Sequence, residues 1–330
     1  MVYEGGKGNN MKQGVKLTSH FVTGGAGFIG SHLVDRLMSE GNKVTVYDNL
    51  ISGKQENIAY HLDKPNFKLI KADLLDITTL TKSIKGYEVV WHLGANTDIP
   101  SGNKVTDLDL KNCTIATHNV LETMRNNHMN KLIFSSSAAV YGDAPPIDLA
   151  ETYGPLLPIN LYGAGKLACE GLISSYCHLF GIQAWIFRFG NVVGGHMGHG
   201  VIYDFIHKLK KNPKEMEILG DGNQEKSFFL VEDCIDGMLW AFQKTNSQYD
   251  VFNLGCKYSM KVTEIGKIVV EEMGLKDVKF KYTGGKRGWP GDVAIIHFNV
   301  DKMAGLGWKA SHNSEDAVRI AARRLIDQGI

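Results

Sequence analysis

A glycine-rich stretch near the N-terminus limits the folds open to this chain more than any other feature. Thr23 to Gly30 (TGGAGFIG) follows a short apolar run, and the next residues, Ser31 to Glu40, place apolar side chains at helical spacing. The order predicts a strand, a tight turn and a helix. Gly24, Gly27 and Gly30 carry no side chains, so a pyrophosphate can approach the free N–H groups at the start of the helix.

Short strand-like runs alternate with helix-like segments through the first half of the chain. The predicted strands are Leu17–Thr23, Lys43–Tyr47, Phe67–Lys71, Glu88–Leu93, Lys131–Phe134 and Ala184–Phe187, and the longer predicted helices are Thr114–Met129 and Leu161–Leu179. This alternation predicts an α/β fold, a Rossmann-like doubly wound parallel sheet with helices on both faces. Ligands of such sheets bind beyond the carboxyl ends of the strands.

The composition of the sequence changes near Asn191, after which many glycines separate shorter predicted elements. We expect an N-terminal tail at residues 1–16 and a dinucleotide-binding domain at residues 17–190. Residues 191–330 are expected to form mainly a smaller, substrate-binding α/β domain, and the chain is free to cross between the two lobes because no linker separates them.

Composition excludes several classes of protein. Lys and Arg number 36 and Asp and Glu 35, so no excess of charge attracts nucleic acid or an anionic membrane surface. No apolar run approaches the roughly 20 residues of a membrane helix, and a cytoplasmic protein is expected. The five cysteines are widely spaced and the histidines lack a metal-binding spacing, which favours free thiols and no metal.

Asp48 ends the second predicted strand, eighteen residues after Gly30. A carboxylate here accepts hydrogen bonds from both ribose hydroxyls and repels a 2′-phosphate, which favours NAD over NADP, although Lys54 lies nearby. Asp73 follows the third strand and is a candidate contact for adenine, and Leu93 to Ala95 follow the fourth. Spacing alone is equally consistent with a loop carboxylate and ordinary packing residues at these last positions.

Tyr162 and Lys166 lie four residues apart at the start of a predicted helix and therefore on one face. A nearby ammonium favours the phenolate, so we expect the pKa of Tyr162 to be lowered toward that of a working general base. Ser135 to Ser137 follow a predicted strand and offer a hydroxyl to orient a substrate alcohol. Together the groups suit removal of a proton from C–OH while a nicotinamide takes the hydride.

These motifs together resemble the extended short-chain dehydrogenase/reductase family, and within it the UDP-glucose 4-epimerases, including the archaeal type. The resemblance covers about Leu17 to Trp308. The segments that carry it are TGGAGFIG (Thr23–Gly30), YDNLISG (Tyr47–Gly53), FSSSAAVYGD (Phe134–Asp143), YGAGK (Tyr162–Lys166), HGVIYDF (His199–Phe205) and RGWPGD (Arg287–Asp292).

The resemblance implies tightly held NAD, a UDP-sugar substrate, commonly a homodimer, and a catalytic set of Ser137, Tyr162 and Lys166. The residues expected to contact the cofactor are Gly24, Gly27, Phe28, Ile29, Gly30, Asp48, Asn49, Ser52, Gly53, Asp73, Leu74, Leu93, Ala95, Asn112, Tyr162 and Lys166. Those expected to contact the substrate are Ser137, Tyr162, Asn191, Val201, Ile202, Lys226, Arg287 and Asp292. Lys226 stands where relatives carry the arginine that binds the diphosphate, and Arg287 replaces a second arginine.

The residues after Ser137 favour one reaction within the family. Related dehydratases carry an Asp-Glu pair here and related decarboxylases a Glu, whereas this chain has Ala138 and Ala139. The resemblance therefore implies epimerisation at C4 of a UDP-hexose through a 4-keto sugar. N-acetylated or uronic acid substrates stay open, because Ile296 at the position that controls room for an acetamido group does not decide. A net oxidoreductase or dehydratase and a non-catalytic NAD-binding protein are the rival functions.

Overall fold

The computed structural model of the protein describes residues 17–330, so the tail expected at residues 1–16 lies outside the described part. Within that part, no helix combines the length and apolar character needed to cross a membrane.

The strands are β1 Ser19–Thr23, β2 Lys43–Asp48, β3 Phe67–Lys71, β4 Val89–His92, β5 Lys131–Ser137, β6 Asp148–Leu149, β7 Gln183–Phe189, β8 Asn191–Val193, β9 Glu215–Ile218, β10 Glu225–Leu230, β11 Tyr249–Leu254, β12 Ser259–Lys261, β13 Lys279–Tyr282 and β14 His297–Phe298. The helices are α1 Phe28–Ser39, α2 Ile77–Ser83, α3 Ala116–Asn126, α4 Leu161–Phe180, α5 Val201–Lys211, α6 Val231–Lys244, α7 Val262–Glu272, α8 Asp301–Gly305 and α9 Ser314–Asp327.

A parallel sheet of seven strands forms the larger part of the fold. Its order is β11-β7-β5-β4-β1-β2-β3, and every neighbouring pair is parallel. The chain moves outward in one direction from β1 to β3 and in the other from β4 onward, so the switch point lies between β1 and β4. The predicted Rossmann-like α/β fold is confirmed.

The apolar pattern of α1 explains how this helix packs. Leu33, Val34, Leu37 and Met38 are all buried, at the spacing of one helix face, and they join Val44 and Val46 of β2 in the same core. The helix therefore covers one face of the sheet next to the glycine-rich turn, which fixes the position of its N-terminus.

The predicted elements correspond to observed ones, and their ends differ by up to a few residues. The helix predicted at Thr114–Met129 begins earlier, as a π-helical segment at Leu110–Ile115, and continues as α3. The strand predicted at Lys131–Phe134 continues to Ser137, because Ser135 to Ser137 pair in register with Phe187 to Phe189 of β7. This extension carries Ser137 to the carboxyl edge of the sheet.

Among residues 17–330, three smaller sheets lie outside the large one, and all their strands except β6 come from residues beyond 190. The sheets are β12-β10-β8, β13-β9 and β14-β6. Apolar side chains of α5, α7 and α9 pack against β9 and β10 in a core that includes Ile202, Phe205, Met216, Ile265 and Val318. A further small core beside the carboxyl edge of the large sheet contains Val140, Tyr141, Val293, Ile296 and Phe298.

The chain returns to the large sheet after residue 190. β11 pairs with β7 along its whole length, and α6, which packs on α1, contributes Cys234, Ile235 and Met238 to the same core as β1 and β2. Both lobes thus contain residues from beyond residue 190, and the division into domains at that residue stays a prediction.

Candidate active site

The glycine-rich turn forms a cradle with no room for side chains. Gly24 has a φ of +69°, and a Cβ there would lie 2.7 Å from the backbone nitrogen of Gly94. A Cβ on Gly30 would lie 2.1 Å from the carbonyl oxygen of Gly24. Gly27 is the N-cap of α1 and supplies no side-chain acceptor, so the first N–H groups of the helix face outward without an intrahelical partner. This is the geometry of an anion site.

Asp48 is fixed beside this cradle by two backbone hydrogen bonds. Its Oδ2 accepts from the N–H of Ala26 at 3.0 Å and its Oδ1 from the N–H of Leu50 at 2.9 Å. Burial raises the pKa of Asp48, and the two amide donors oppose that rise. Each carboxylate oxygen keeps a second lone pair for a ribose hydroxyl. A Cβ on Gly53 would lie 2.9 Å from Oδ2, so glycine at position 53 keeps the approach open.

The residues expected near adenine meet at the ends of β2, β3 and β4. Asn49 donates its amide to Asp73 Oδ2 at 3.0 Å, and the N–H of Leu75 donates to Asp73 Oδ1 at 2.8 Å. A Cβ on Gly94 would lie 2.9 Å from Leu74 Cδ1. The structure therefore brings these residues to the same edge as the glycine cradle, and the set fits a dinucleotide.

The remaining candidate cofactor residues differ in exposure. Phe28 packs against the core formed by α5, α7 and α9. Ile29 and Leu93 pack against the core that contains α1 and β2, and Ala95 is half-buried. Ser52 is exposed in the loop after Asp48, and the amide of Asn112 donates to Leu108 O at 3.0 Å within the π-helical turn.

The catalytic candidates come from two neighbouring elements. Ser137 ends β5, and its hydroxyl accepts a hydrogen bond from the N–H of Ala139 at 3.2 Å. Tyr162 and Lys166 lie on the first turns of α4. Lys166 is buried, donates from Nζ to Ser135 O at 2.6 Å, and places Nζ 5.6 Å from the centre of the Tyr162 ring. A phenol, a hydroxyl and an ammonium thus share one edge of the sheet.

The pKa of Tyr162 does not follow the expectation from sequence. Burial raises it most, Lys166 and a hydrogen bond with Ser137 lower it, and the charge of Cys113 raises it again, so that the net shift is upward. The expected net lowering of the pKa is therefore wrong, because desolvation of the phenolate outweighs the nearby ammonium.

The sequence analysis missed the buried residues behind Lys166. Cys113 and Cys169 place their Sγ atoms 3.5 Å apart, and a hydrogen bond to Cys169 lowers the pKa of Cys113 to about 7. Asp109 is buried, accepts from Asn96 Nδ2 at 3.0 Å, and has its pKa raised by burial. Cys169 follows Lys166 by three residues on one helix face, but no local pattern marked Cys113 or Asp109.

His92 and the cysteines are buried in the interior of the fold. His92 is buried between Thr23 and Thr117, at 2.7 Å and 3.0 Å, and burial lowers its pKa to about 3. All five cysteines are free and buried. Residues 17–330 hold no group of three or more His, Cys, Asp or Glu side chains arranged for a metal ion.

Three of the candidate substrate residues cluster at one loop. Lys226 Nζ lies 2.6 Å from Asp292 Oδ1, and Arg287 donates from Nη1 to Asp292 O at 3.1 Å. Arg287 also pairs with Asp143 at 2.8 Å, a contact that the sequence did not indicate. Both cations expected at a diphosphate are therefore together, each held by a carboxylate.

The other three candidate substrate residues come from β8 and α5. Asn191 donates its amide to Ser227 O at 3.0 Å. Val201 and Ile202 begin α5, and Val201 is half-buried. The side chain of Ile202 is completely buried in the second core, so only its main chain is available to a ligand.

Known proteins resemble the chain over almost its full length. A putative UDP-glucose 4-epimerase of Methanocaldococcus jannaschii is 34% identical over 306 residues, covering 90% of this chain and 95% of the relative. A crystal structure of a UDP-galactose 4-epimerase superposes with a TM-score of 0.85 at 36% identity, covering 94% of this chain and 99% of that one. UDP-glucuronic acid decarboxylase 4 of Arabidopsis thaliana is 32% identical over 76% of this chain and 56% of the relative.

The family model described as NAD dependent epimerase/dehydratase family matches residues 20–255. This range contains the glycine cradle, Asp48 and the catalytic candidates Ser137, Tyr162 and Lys166. The chain belongs to the NAD-dependent epimerase/dehydratase family.

Proposed function

We propose that the protein is an NAD-dependent UDP-sugar 4-epimerase that interconverts UDP-glucose and UDP-galactose through a transient 4-keto sugar. One observation carries the proposal: Ser137, Tyr162 and Lys166 meet at the carboxyl edge of the sheet with no carboxylate at positions 138 and 139. The names of the archaeal relative and of the solved epimerase support it.

The proposed chemistry assigns a task to each side chain. Ser137 donates a hydrogen bond to the C4 oxygen and orients the C4 hydroxyl toward Tyr162. The Tyr162 phenolate takes the hydroxyl proton and later returns it, while the buried ammonium of Lys166 stabilises the phenolate. What NAD supplies when bound is a reversible hydride acceptor at C4. Lys226 and Arg287 neutralise the substrate diphosphate.

Elimination and decarboxylation are the rival reactions of the same family. Dehydration needs an acid near the sugar to protonate the leaving hydroxyl, and Ala138 and Ala139 offer none. Two nearby carboxylates are engaged elsewhere, since Glu170 binds Arg188 at 2.8 Å in the interior and Asp143 binds Arg287. The arrangement therefore favours epimerisation, where no bond other than C4–H and O–H is broken.

The choice of sugar depends on the side chains around the hexose. Ile296 is buried with Tyr141 and Phe298. By resemblance, this branched aliphatic side chain stands at the position that controls room for an acetamido group. UDP-glucose and UDP-galactose are proposed as substrates, with the N-acetylated sugars and UDP-glucuronate as alternatives. A panel of these nucleotides, followed by NMR at the C4 proton, discriminates among them.

The deciding experiment uses purified enzyme and UDP-galactose without added NAD. Epimerisation with retained cofactor gives UDP-glucose with no build-up of reduced nicotinamide absorbance, because net redox change is zero. A steady rise in that absorbance would indicate a net oxidoreductase, and no turnover of any nucleotide sugar would indicate a non-catalytic NAD-binding protein. We also propose that NAD is tightly held and that the enzyme is a homodimer, which native mass spectrometry measures together.

A further inference from the structure

The loop that carries Arg287 and Asp292 is attached to the other lobe by side chains. We call residues 287–292 the clasp segment. Asn103 Nδ2 donates to Pro290 O at 2.9 Å, and Asn160 Nδ2 donates to Gly291 O at 2.9 Å. Arg287 Nη2 donates to Asp143 Oδ2 at 2.8 Å. The clasp segment thus lies against residues that flank the catalytic helix.

Asn160 makes two contacts at once with opposite ends of its amide. Its Oδ1 accepts from the N–H of Gly163 at 2.7 Å and caps the N-terminus of α4. Its Nδ2 donates to Gly291 O in the clasp segment. Tyr162 is the second residue of α4, so one side chain joins the clasp segment to the turn that carries the proposed base.

The fit at this junction requires a residue without a side chain. Gly291 has a φ of +89°, and a Cβ there would lie 3.1 Å from Asn160 Cβ and 3.2 Å from Ile159 O. Glycine therefore permits both the left-handed backbone and the close approach of its carbonyl to the amide of Asn160.

The clasp segment also holds both cations proposed for the diphosphate, because it contains Arg287 and its Asp292 binds Lys226. Asp292 binds Lys226 at 2.6 Å and accepts from the N–H of Gly288 at 3.1 Å. Asp292 also donates its own N–H to Trp289 O at 3.0 Å, which closes the turn. Asn160 accordingly lies between the phosphate-binding end of the site and its proton-transfer end.

We propose that Asn160 is a positioning residue that couples the clasp segment to Tyr162, so that binding of the substrate diphosphate sets the distance between C4 and the phenol. The catalytic part of this inference rests on the proposed function. Small displacements matter here, because misplacement of a reacting group by about 1 Å can cost on the order of a hundredfold in rate.

Two substitutions at Asn160 remove its contact with the clasp segment and keep its cap on α4. Asn160→Asp and Asn160→Ser both keep an oxygen for the N–H of Gly163 and remove the Nδ2 amide group that reaches Gly291 O. Gly291→Ala acts from the other side and leaves Asn160 intact. The matched control is Asn313→Asp, because Asn313 caps α9 through the N–H of Asp316 at 2.9 Å, remote from the catalytic residues.

Hydrogen exchange provides a readout that needs no activity. In both Asn160 variants, the amides of Gly288 and Asp292 should exchange about tenfold faster or more, while the amides of α4 beyond Lys166 keep their wild-type rates. Asn313→Asp should leave the clasp segment unchanged. Wild-type exchange at Gly288 and Asp292 in the Asn160 variants would overturn the coupling, whatever the activity of the enzyme.

Steady-state kinetics provides the second readout. We expect kcat at saturating UDP-sugar to fall roughly tenfold to a hundredfold in Asn160→Asp, Asn160→Ser and Gly291→Ala, with unchanged melting temperature for the two Asn160 variants. A rise in KM at constant kcat would assign Asn160 to binding alone and contradict the proposal. Failure of the wild-type enzyme to turn over any UDP-sugar would instead remove the proposed function and leave the exchange result valid.

Discussion

At the scale of the residue, Tyr162 is held between groups whose charges act on its proton in opposite directions. The ammonium of Lys166 stabilises the phenolate, whereas burial and the neighbouring Cys113 and Asp109 oppose it. Burial lowers the pKa of Lys166, but its interactions with Cys113 and Tyr162 raise the pKa, and the net shift is upward. The surroundings therefore favour the protonated form of Lys166 and disfavour ionisation of the Tyr162 phenol.

Removal of the phenol oxygen tests the proposed role of Tyr162. Tyr162→Phe should lower turnover by roughly a hundred- to ten-thousand-fold, because the general base is lost, while NAD binding is preserved. Initial rates and cofactor content measure the two effects. Tyr176→Phe, which removes a phenol from the same helix where it bonds Glu122, is the control. Activity in Tyr162→Phe close to that of the control would refute the mechanism.

The pH dependence of turnover tests the charges around Tyr162. The active form is the phenolate, which is present above its pKa, so the rate rises with pH through that value. Lys166→Met removes a charge that lowers the pKa of Tyr162, and the rising limb should move to higher pH. Cys113→Ser removes a charge that raises it, and the limb should move to lower pH.

Profiles of kcat against pH for both variants are the measurement. A shift in the same direction for Lys166→Met and Cys113→Ser would show that these charges do not control Tyr162. Cys177→Ser serves as a control, because this buried thiol in α4 is absent from the groups acting on Tyr162.

The catalytic candidates and Asp48 could be named from sequence because their chemistry follows from local order. Tyr162 and Lys166 are four residues apart on one helix, and Asp48 ends a strand. Asp109 and Asn160 could not be recognised in this way, since Asp109 meets Lys166 only through packing and Asn160 meets Gly291 across 131 positions of sequence. Contacts between segments that are distant in sequence produce no periodic pattern of residue types.

At the scale of the element, the turn between β1 and α1 combines the strongest sequence signal with the tightest geometry. The signal is strong because a Cβ would collide with backbone at both Gly24 and Gly30. Elsewhere, element ends were less predictable: the π-helical turn at Leu110–Ile115 has no composition that distinguishes it from an α-helix. The polar end of β5 forms a strand only because β7 pairs with it.

Two glycine substitutions in helices should have opposite effects. Gly30→Ala places a Cβ 2.1 Å from Gly24 O, so we expect a large loss of stability and of NAD binding. Gly171→Ala, in the exposed face of α4, meets nothing within 4 Å and should stabilise the protein by about 0.5–1 kcal/mol. Thermal unfolding with and without NAD measures both, and a stable, NAD-binding Gly30→Ala protein would contradict the tight cradle.

At the scale of the whole molecule, the two lobes are connected through a shared core. Phe229, Phe252 and Leu254 come from beyond residue 190, yet they are buried in the core that contains Val22, Leu33 and Trp185. The parallel alternation in the first half was readable from sequence. The return of β11 was not, because a single short apolar strand carries no information about its partner.

A fragment of residues 17–190 should therefore not fold by itself. It lacks β11, which covers the edge of β7, and α6, which covers α1. We expect no cooperative unfolding transition by circular dichroism, and recovery of the transition when residues 191–330 are co-expressed. A cooperative transition in the isolated fragment would show that residues 17–190 form an independent domain.

The late position of β11 has a consequence for biosynthesis. Between Phe189, where β7 ends, and Tyr249, where β11 begins, the ribosome adds 249 − 189 = 60 residues. At roughly 5–20 residues per second, the hydrogen-bonding edge of β7 waits about 3–12 s for its partner on the growing chain. During that interval β7 lacks its outer partner, so we expect the nascent chain to be more prone to pairing with other polypeptides than the finished protein is.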